Sequence, residues 1–227
     1  ENENDKNKYI DIKNLNFSYP GNKITQLKNV SFDIKKNTTT GIIGKTGAGK
    51  STLFYILLGL IKPTSGTITN NGEDIFTSLT SWRKKIGSVS QNIFLLDSTI
   101  EKNITFNLNN EDVDTKKLNK AIKVSQLESK IKNLPLGLKT KVGNNGIKLS
   151  GGERQRLAIS RILYQDPEII FLDESTNSLD FKTEKLILDG IKENFKDKTI
   201  IMIAHRQNLV EYCDKVWSLE SGSLIEN

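Results

Sequence analysis

The sequence has few of the features that crosslink a protein or anchor it in a membrane. It contains one cysteine, Cys213, so no disulfide can form within the chain, and a single thiol is typical of a reducing compartment. Its apolar runs, such as Ile56–Leu58 and Ile169–Leu172, are far shorter than the roughly 20 residues of a membrane helix. We therefore expect the 227 residues to form a soluble domain with one sizeable core.

The chain is moderately basic. Its 33 Lys and Arg residues against 27 Asp and Glu residues give a net charge of +6. Such a balance can indicate nucleic acid or an anionic membrane surface as a partner. The lysines are scattered through Lys/Asn-rich stretches, however, without interleaved aromatic residues. We expect an ordinary solvated surface and no nucleic acid, with a polyanionic ligand or lipid headgroups as the alternative.

Apolar patterns predict strands and helices that alternate along the chain. Tyr9–Leu15 and Val30–Ile34 alternate apolar and polar residues, as half-exposed antiparallel strands do. Three segments are apolar throughout: Gly41–Ile43, Ile169–Leu172 and Ile200–Ala204. Such runs are typical of parallel strands that are covered on both faces. Helical patterns occupy Lys50–Leu60, Gly151–Tyr164 and Lys182–Phe195. This order predicts an α/β fold with an antiparallel β portion at the N-terminus.

Polar residues directly follow four of the predicted strands. They are the stretch GKTGAGKST after Gly41–Ile43, Asp173 and Glu174 after Ile169–Leu172, His205 after Ile200–Ala204, and Gln91 after Ile86–Ser90. In open α/β sheets, ligands bind beyond the carboxyl ends of the strands. We therefore expect these groups, which are far apart in sequence, to face one ligand.

The stretch GKTGAGKS lies between a predicted strand and a predicted helix and matches the phosphate-loop pattern G-x-x-x-x-G-K-[ST]. Its glycines allow successive backbone N–H groups to point at phosphate oxygens, and the helix N-terminus adds partial positive charge. Lys50 is expected to reach the β- and γ-phosphates, and the Ser51 hydroxyl to bind Mg²⁺. The residues expected to bind the nucleotide here are Gly44, Lys45, Thr46, Gly47, Ala48, Gly49, Lys50, Ser51 and Thr52. A glycine-rich turn without a ligand is the alternative.

Acidic, imidazole and amide side chains beside this loop predict a reaction centre. Asp173 is expected to hold Mg²⁺ through water, because Mg²⁺ keeps much of its hydration shell. Glu174 is placed to accept a proton from an attacking water. His205 could hydrogen-bond the γ-phosphate and that water, and Gln91 could bridge the metal and the water. Structural or solvated roles for these side chains remain the alternative.

A second glycine-containing helix start occurs at KLSGGERQRLAISR, Lys148–Arg161. Ser150 followed by Glu153 fits a capping box. Gly151 and Gly152 leave backbone N–H groups unobstructed at the helix N-terminus, which favours an anion. A well-capped amphipathic helix with no ligand is the alternative.

The stretch LSGGERQR resembles the signature motif of the ATP-binding cassette family. Further motifs of that family follow in order along nearly the whole chain: Tyr19 in FSYPG, the phosphate loop, Gln91, IIFLDE, NSLD ending at Asp180, and His205. The resemblance implies a P-loop NTPase core with a mixed parallel sheet, an antiparallel β subdomain and a helical subdomain. It also implies a head-to-tail dimer of two copies around two MgATP, with Tyr19 stacked on adenine and Asp180 crossing the interface.

In that family, Ser150, Gly151 and Gly152 of one copy are expected to contact the γ-phosphate of the ATP held by the other copy. The resemblance divides the single domain into a core, residues 1–91 and 152–227, and a helical subdomain, residues 92–151, that carries the signature at its end. The helical subdomain is expected to contact a transmembrane partner.

The exporter branch of the family fits this chain best. SVSQNIFLLDSTIEKNITF resembles exporter sequences, and TKVGNNG stands where exporters often carry T-x-V-G-E-x-G, with Asn144 in place of Glu. We expect an ATPase motor on the cytoplasmic face of a membrane, its transmembrane domain fused upstream because the chain begins with Glu1 and not with Met. The alternatives are an importer ATPase subunit, an ATPase acting on nucleic acid or ribosomes, and a regulatory ATP-binding module. The transported substrate is not readable from the sequence.

Overall fold

The computed structural model describes residues 8–21, 25–90, 92–107, 112–173, 179–204 and 207–226. The predicted site residues Gln91, Glu174 and His205 lie outside these ranges. The strands are β1 (Lys8–Ser18), β2 (Thr25–Lys35), β3 (Thr39–Ile43), β4 (Ser65–Asn70), β5 (Glu73–Asp74), β6 (Ile86–Val89), β7 (Ile169–Asp173), β8 (Thr199–Ala204), β9 (Lys215–Glu220) and β10 (Ser223–Glu226). The helices are α1 (Lys50–Leu57), α2 (Leu79–Lys85), α3 (Ile100–Thr105), α4 (Thr115–Val124), α5 (Glu128–Lys132), α6 (Gly151–Gln165) and α7 (Phe181–Asn194). Short 3-10 turns occupy Gly137–Lys139, Asn144–Gly146 and Gln207–Tyr212.

The chain divides into two compact units. The first comprises Glu1–Ile86, Glu168–Asp173 and Asp197–Asn227, and the second comprises Gly87–Pro167 and Glu174–Lys196. The first unit contains the phosphate-loop stretch, and the second contains Ser150 and helix α6.

An antiparallel sheet in the first unit has the strand order β2-β1-β4-β5. Ile12 of β1 is paired with Phe32 of β2 and with Ile68 of β4, and all three side chains are buried. Apolar residues at alternate positions therefore place one face of this sheet against the core.

A second sheet in the same unit has the order β10-β9-β3-β8-β7. Strands β9, β3, β8 and β7 are parallel, and β10 is antiparallel to β9. Every residue of β7 is buried, and the apolar run Ile169–Leu172 predicts this for the first four. β3 precedes β7, β8 and β9 in the chain, yet it lies between β8 and β9 in the sheet. The strands that follow β3 in sequence therefore lie on both sides of it, which is a reversal of strand order. Ligands bind at such a reversal, beyond the carboxyl ends of the strands. The predicted α/β fold with one antiparallel and one mixed parallel sheet is confirmed.

Each unit has a hydrophobic core of its own. In the first unit, the rings of Phe54 and Phe171 are both fully buried and meet edge to face, with centroids 5.7 Å apart. In the second unit, eight buried side chains form the core: Leu95, Ile100, Ile104, Leu118, Ile122, Leu127, Val142 and Leu157. Among the helices that the structure describes, none is both long enough and apolar enough for a bilayer span.

Helix α1 ends earlier than predicted. It covers Lys50–Leu57 and not Lys50–Leu60, and Gly59 adopts a left-handed backbone with φ 67°. Two side chains of α2 bind the carbonyl groups at this end: Trp82 Nε1 donates to Leu57 O at 2.9 Å, and Arg83 donates to Gly59 O at 2.7 Å. These bonds satisfy carbonyls that have no partner within the helix, so the chain can turn there.

The first two strands are longer than the predicted Tyr9–Leu15 and Val30–Ile34. The register of β1 against β2 shifts between Ile12 and Leu15, and Asn14 has a left-handed φ of 50°. This bulge interrupts the alternation of apolar and polar residues, which is why the sequence pattern underestimated the strands. The other predicted elements agree with the structure within one or two residues at each end, except that β9 and β10 and several short elements were not predicted.

We expect Phe54→Ala to lower the free energy of unfolding by about 3–5 kcal/mol, because it removes a fully buried ring and leaves a cavity beside Phe171. The matched control is Tyr55→Ala on the same helix, whose side chain is 39% exposed and whose loss should cost about 1 kcal/mol. Urea unfolding of both variants measures the difference, and equal losses would contradict this core assignment.

Candidate functional site

The loop between β3 and α1 depends on glycines at three positions. Gly47 and Gly49 have φ of 83° and 108°, which residues with a Cβ rarely adopt. A Cβ on Gly49 would lie 2.9 Å from Gln26 O, and a Cβ on Gly44 would collide with Leu219 O. The backbone of the loop therefore packs directly against β2 and β9, which leaves no room for side chains at Gly44 and Gly49.

Lys50, the first residue of α1, directs its side chain back to this loop. Its side chain is only 4% exposed, and Nζ donates to Gly44 O at 2.7 Å and to Lys45 O at 3.1 Å. Helix α1 begins at Lys50 with no side-chain cap and no acidic residue in its first turn. The buried ammonium and the helix N-terminus together make the loop favourable for an anion.

An open cavity of about 760 Å³ lies against the loop. Its lining comes from residues 43–48 of the loop and residues 218–221 at the end of β9. Its volume is in the range of small-molecule sites. The contribution of β9 was not predicted from the sequence, because it arises from the parallel pairing of β9 with β3 and not from a local motif.

Tyr19 lies close to the same helix. Its hydroxyl is 3.2 Å from Thr52 Oγ1, and its ring meets Phe17 edge to face with centroids 4.8 Å apart. The side chain is 41% exposed, so part of the ring remains open to a ligand. The structure therefore brings the predicted aromatic residue and the predicted phosphate-binding helix together.

Asp173 is the last residue of β7, and its side chain is 6% exposed. It pairs in register with Ile203 of β8, and Ala204 of β8 pairs with Ile43, which directly precedes the loop. The carboxylate is thus placed at the sheet edge from which the loop leaves. Ser51 and Asp173 offer hard oxygen donors of the kind that Mg²⁺ prefers, so these two residues fit the predicted ion. Within the described part of the chain, His, Cys, Asp and Glu side chains form no group of three that could hold a metal without further ligands.

In the second unit, the capping box predicted at the start of α6 is confirmed. Glu153 N donates to Ser150 Oγ at 3.2 Å, and Ser150 N donates to Glu153 Oε2 at 2.9 Å. Lys130 Nζ lies 2.9 Å from Glu153 Oε1. Gly151 and Gly152, which follow Ser150, are partly exposed at the first turn. Backbone N–H groups in the first turn of a helix have no acceptor within the helix, so this helix start offers donors to an anion.

The carboxylate of Glu153 is held in its ionised form by its neighbours. Burial alone would raise its pKa, but hydrogen bonds from Lys130 and from the backbone N–H of Ser150, with the charge of Lys130, lower the pKa overall. The anion at the first turn of α6 is thereby maintained at neutral pH.

Asp180 has a local structural role that was not predicted. It is the N-cap of α7, where Thr183 N donates to Asp180 Oδ1 at 3.0 Å. Hydrogen bonds from the side chain and the backbone of Thr183 lower the pKa of Asp180. This cap could have been predicted from the sequence, because Asp is a preferred N-cap residue directly before a helical pattern.

The ABC transporter family model matches residues 27–177 of this chain. The chain belongs to the ABC transporter family. It is 36% identical over 218 residues to the ATP-dependent lipid A-core flippase of Photobacterium profundum, covering 96% of this chain and 37% of that protein. It is 37% identical over 221 residues to the probable multidrug resistance ABC transporter ATP-binding/permease protein YheI of Bacillus subtilis, with the same two coverages.

The fold is also similar to a bacterial Atm1-family ABC exporter with ATP bound. The TM-score is 0.90 and the sequence identity is 34%, over 97% of this chain and 38% of that one. This chain therefore spans less than half the length of the relatives that it matches.

The lowered pKa of Glu153 generates a prediction about stability and pH. A carboxyl whose folded pKa is depressed stabilises the fold above its unfolded pKa, and the contribution is lost as pH falls through the folded pKa. We expect Lys130→Ala to lower the free energy of unfolding by about 0.2–1 kcal/mol near pH 7. The difference from the wild type should shrink as the pH falls below the ordinary pKa of a glutamate and through the lowered folded pKa of Glu153.

Lys132→Ala is the matched control. Lys132 belongs to the same helix, α5, but its partner Glu128 is largely exposed and the ion pair is 3.4 Å long. Its loss should change stability less than Lys130→Ala does near pH 7. Denaturant unfolding across the pH range measures both variants; a deficit of Lys130→Ala that is independent of pH would contradict the role of the ion pair.

Proposed function

We propose that this chain is the ATP-binding and ATP-hydrolysing motor domain of an ABC exporter. The observation that carries the proposal is the glycine loop with buried Lys50, which leaves the same sheet edge that ends in Asp173. Family membership and the similarity to an ATP-bound exporter support it. The relatives named above are a flippase and a probable multidrug transporter, so no observation favours an importer or a nucleic-acid enzyme.

Each residue that we assign to the bound nucleotide has its own role. The loop backbone from Gly44 to Thr52 binds the phosphates, and Lys50 exchanges its contacts with Gly44 O and Lys45 O for phosphate oxygens. Tyr19 stacks on adenine. Ser51, Asp173 and Gln91 hold Mg²⁺, which neutralises phosphate charge when it is bound.

Hydrolysis requires a base and a group that holds the γ-phosphate. We assign Glu174, which directly follows β7, as the residue that takes the proton from water. His205, which directly follows β8, hydrogen-bonds the γ-phosphate and keeps the water in line.

Two copies of the chain complete two reaction centres. Ser150 and the N–H groups of Gly151 and Gly152 bind the γ-phosphate of the nucleotide held by the other copy. Asp180 lies across the same interface. Partial exposure of the two glycines at the first turn of α6 supports this assignment. The dimer is head to tail, because each copy supplies a phosphate loop to one site and a signature to the other.

A transmembrane domain converts closure and opening of the dimer into export of a substrate. One of the relatives named above is an ATP-binding/permease protein, which supports a transmembrane domain fused to this one in the whole protein. The helical subdomain, residues 92–151, belongs to the second unit, and we propose that it contacts that domain on the cytoplasmic face of the membrane.

Stacking on adenine can be separated from the hydroxyl of Tyr19. Tyr19→Ala should weaken ATP binding by about 1–3 kcal/mol, because the π-face is lost. Tyr19→Phe keeps the ring and removes only the hydrogen bond to Thr52, so its affinity should stay within about threefold of the wild type. Calorimetric titration with ATP measures both. Equal losses in the two variants would mean that the hydroxyl, and not the ring, carries binding.

Glu174→Gln tests the motor itself. We expect the variant to bind MgATP and to form a dimer on sizing in its presence, while hydrolysis falls by at least about 100-fold because the general base is lost. Glu193→Gln is the control, since it makes the same charge change at an exposed position of α7. Hydrolysis by Glu174→Gln at the wild-type rate would refute the assignment of the base.

A further inference from the structure

Helix α6 carries a partly buried cation, Arg161, which has no role in the site described above. None of the ion pairs among the described residues involves it. Burial lowers the pKa of its guanidinium to about 10. Burial of a charge without a carboxylate partner among the described residues costs free energy, so the contacts that Arg161 does make there require an explanation.

All the polar contacts of this guanidinium that the structure describes go to residues 94–106, here called the 94–106 segment. Nε donates to Asn103 O at 2.9 Å, one terminal nitrogen donates to Phe94 O at 3.0 Å, and the other to Asn103 Oδ1 at 3.3 Å. The ring centroid of Phe106 lies 4.4 Å from the guanidinium carbon. Arg161 therefore touches the beginning and the end of the segment together.

Asn103 joins the same segment from within. Its side chain is completely buried; Oδ1 accepts from Leu96 N at 2.9 Å, and Nδ2 donates to Leu96 O and to Thr99 O, each at 3.0 Å. The segment is thus folded around one amide, and that amide is bound by Arg161. The planar guanidinium of an arginine can donate to several acceptors at fixed angles. The ammonium group of a lysine has no such fixed geometry.

A second connection joins the segment to the chain just before α6. Asn145 has a left-handed φ of 47°, and its Oδ1 accepts from Leu95 N at 3.3 Å. Leu157 of α6 packs in the same core as Leu95. The 94–106 segment is therefore bound at two places, by Asn145 shortly before the start of α6 and by Arg161 near the end of α6.

We propose that Arg161, acting through Asn103, is a positioning residue that keeps the 94–106 segment and the Ser150 end of α6 in one fixed arrangement during ATP turnover. The inference rests on the proposed function, because Gln91 stands just before this segment and Ser150 begins the helix. Arg161 contacts no reacting group itself. It makes the chain that follows Gln91 move together with the signature.

The test uses the 227-residue chain and Arg161→Gln, which keeps a polar side chain but loses the charge and most of the donors. Amide hydrogen exchange at Leu96, Asn103 and Phe106 should accelerate at least about tenfold. In steady-state hydrolysis, kcat should fall at least about fivefold while the KM for ATP stays within about twofold, because the phosphate loop lies in the other unit.

Arg156→Gln is the matched control for exchange. Arg156 is on the same helix and donates to Gln126 O at 2.8 Å, outside the 94–106 segment. Exchange in the segment should remain at the wild-type rate in this variant. Arg161→Lys keeps the charge but not the fork, and we expect exchange and kcat between those of the wild type and Arg161→Gln.

Three results would overturn the proposal: unchanged exchange in the segment, accelerated exchange with unchanged kcat, or a loss that falls on KM and not on kcat. If Arg161→Gln does not fold, Arg161→Lys is judged by the same criteria. Absence of hydrolysis by the wild-type chain would refute the proposed function instead. An active wild type whose kcat is insensitive to Arg161 would refute only this inference.

Discussion

Close approach of backbones is the constraint on which the rest of the site depends. The phosphate loop runs so near to Gln26 O and Leu219 O that side chains at Gly49 and Gly44 would collide with them. This proximity brings the loop and the end of β9 around one cavity. Lys50 can then be buried, because the loop carbonyls that accept its hydrogen bonds already lie beside it. Loop, cavity and buried charge are consequences of the same packing.

Features whose cause is local could be predicted from the sequence. The apolar run of β7 predicted a buried parallel strand, and Ser150 with Glu153 predicted the capping box, because all the groups involved lie within a few residues. The end of α1 was wrong by three residues, because side chains of α2 bind its last carbonyls. The order of polar residues after the strands predicted where Asp173 lies. The roles assigned to Asp173 and to the other site residues, including Gln91, Glu174 and His205, stay predictions.

Polar contacts between residues far apart in the chain could not be predicted from local sequence patterns. Arg161 and Asn103 are 58 positions apart, and no sequence motif predicts that they form a hydrogen bond. The same holds for the contact between Tyr19 and Thr52, although the motifs containing both residues were recognised. Periodicity and capping describe neighbours along one element, whereas these bonds depend on how elements are stacked. Apart from the N-cap at Asp180, the unpredicted polar contacts discussed above connect separate elements, whereas the predicted capping box defines a single element.

The length of α6 has a geometric consequence. Fifteen residues at 1.5 Å each make a rod of about 22 Å that is capped at Ser150 and held near its other end by Arg161. Arg161 lies about 16 Å along the helix from Ser150, so a tilt of about 5° about Arg161 shifts the tip by about 1.4 Å, which is enough to break a hydrogen bond. Small rotations of this helix can thus engage or release whatever anion sits at its tip, with no rearrangement inside the helix itself.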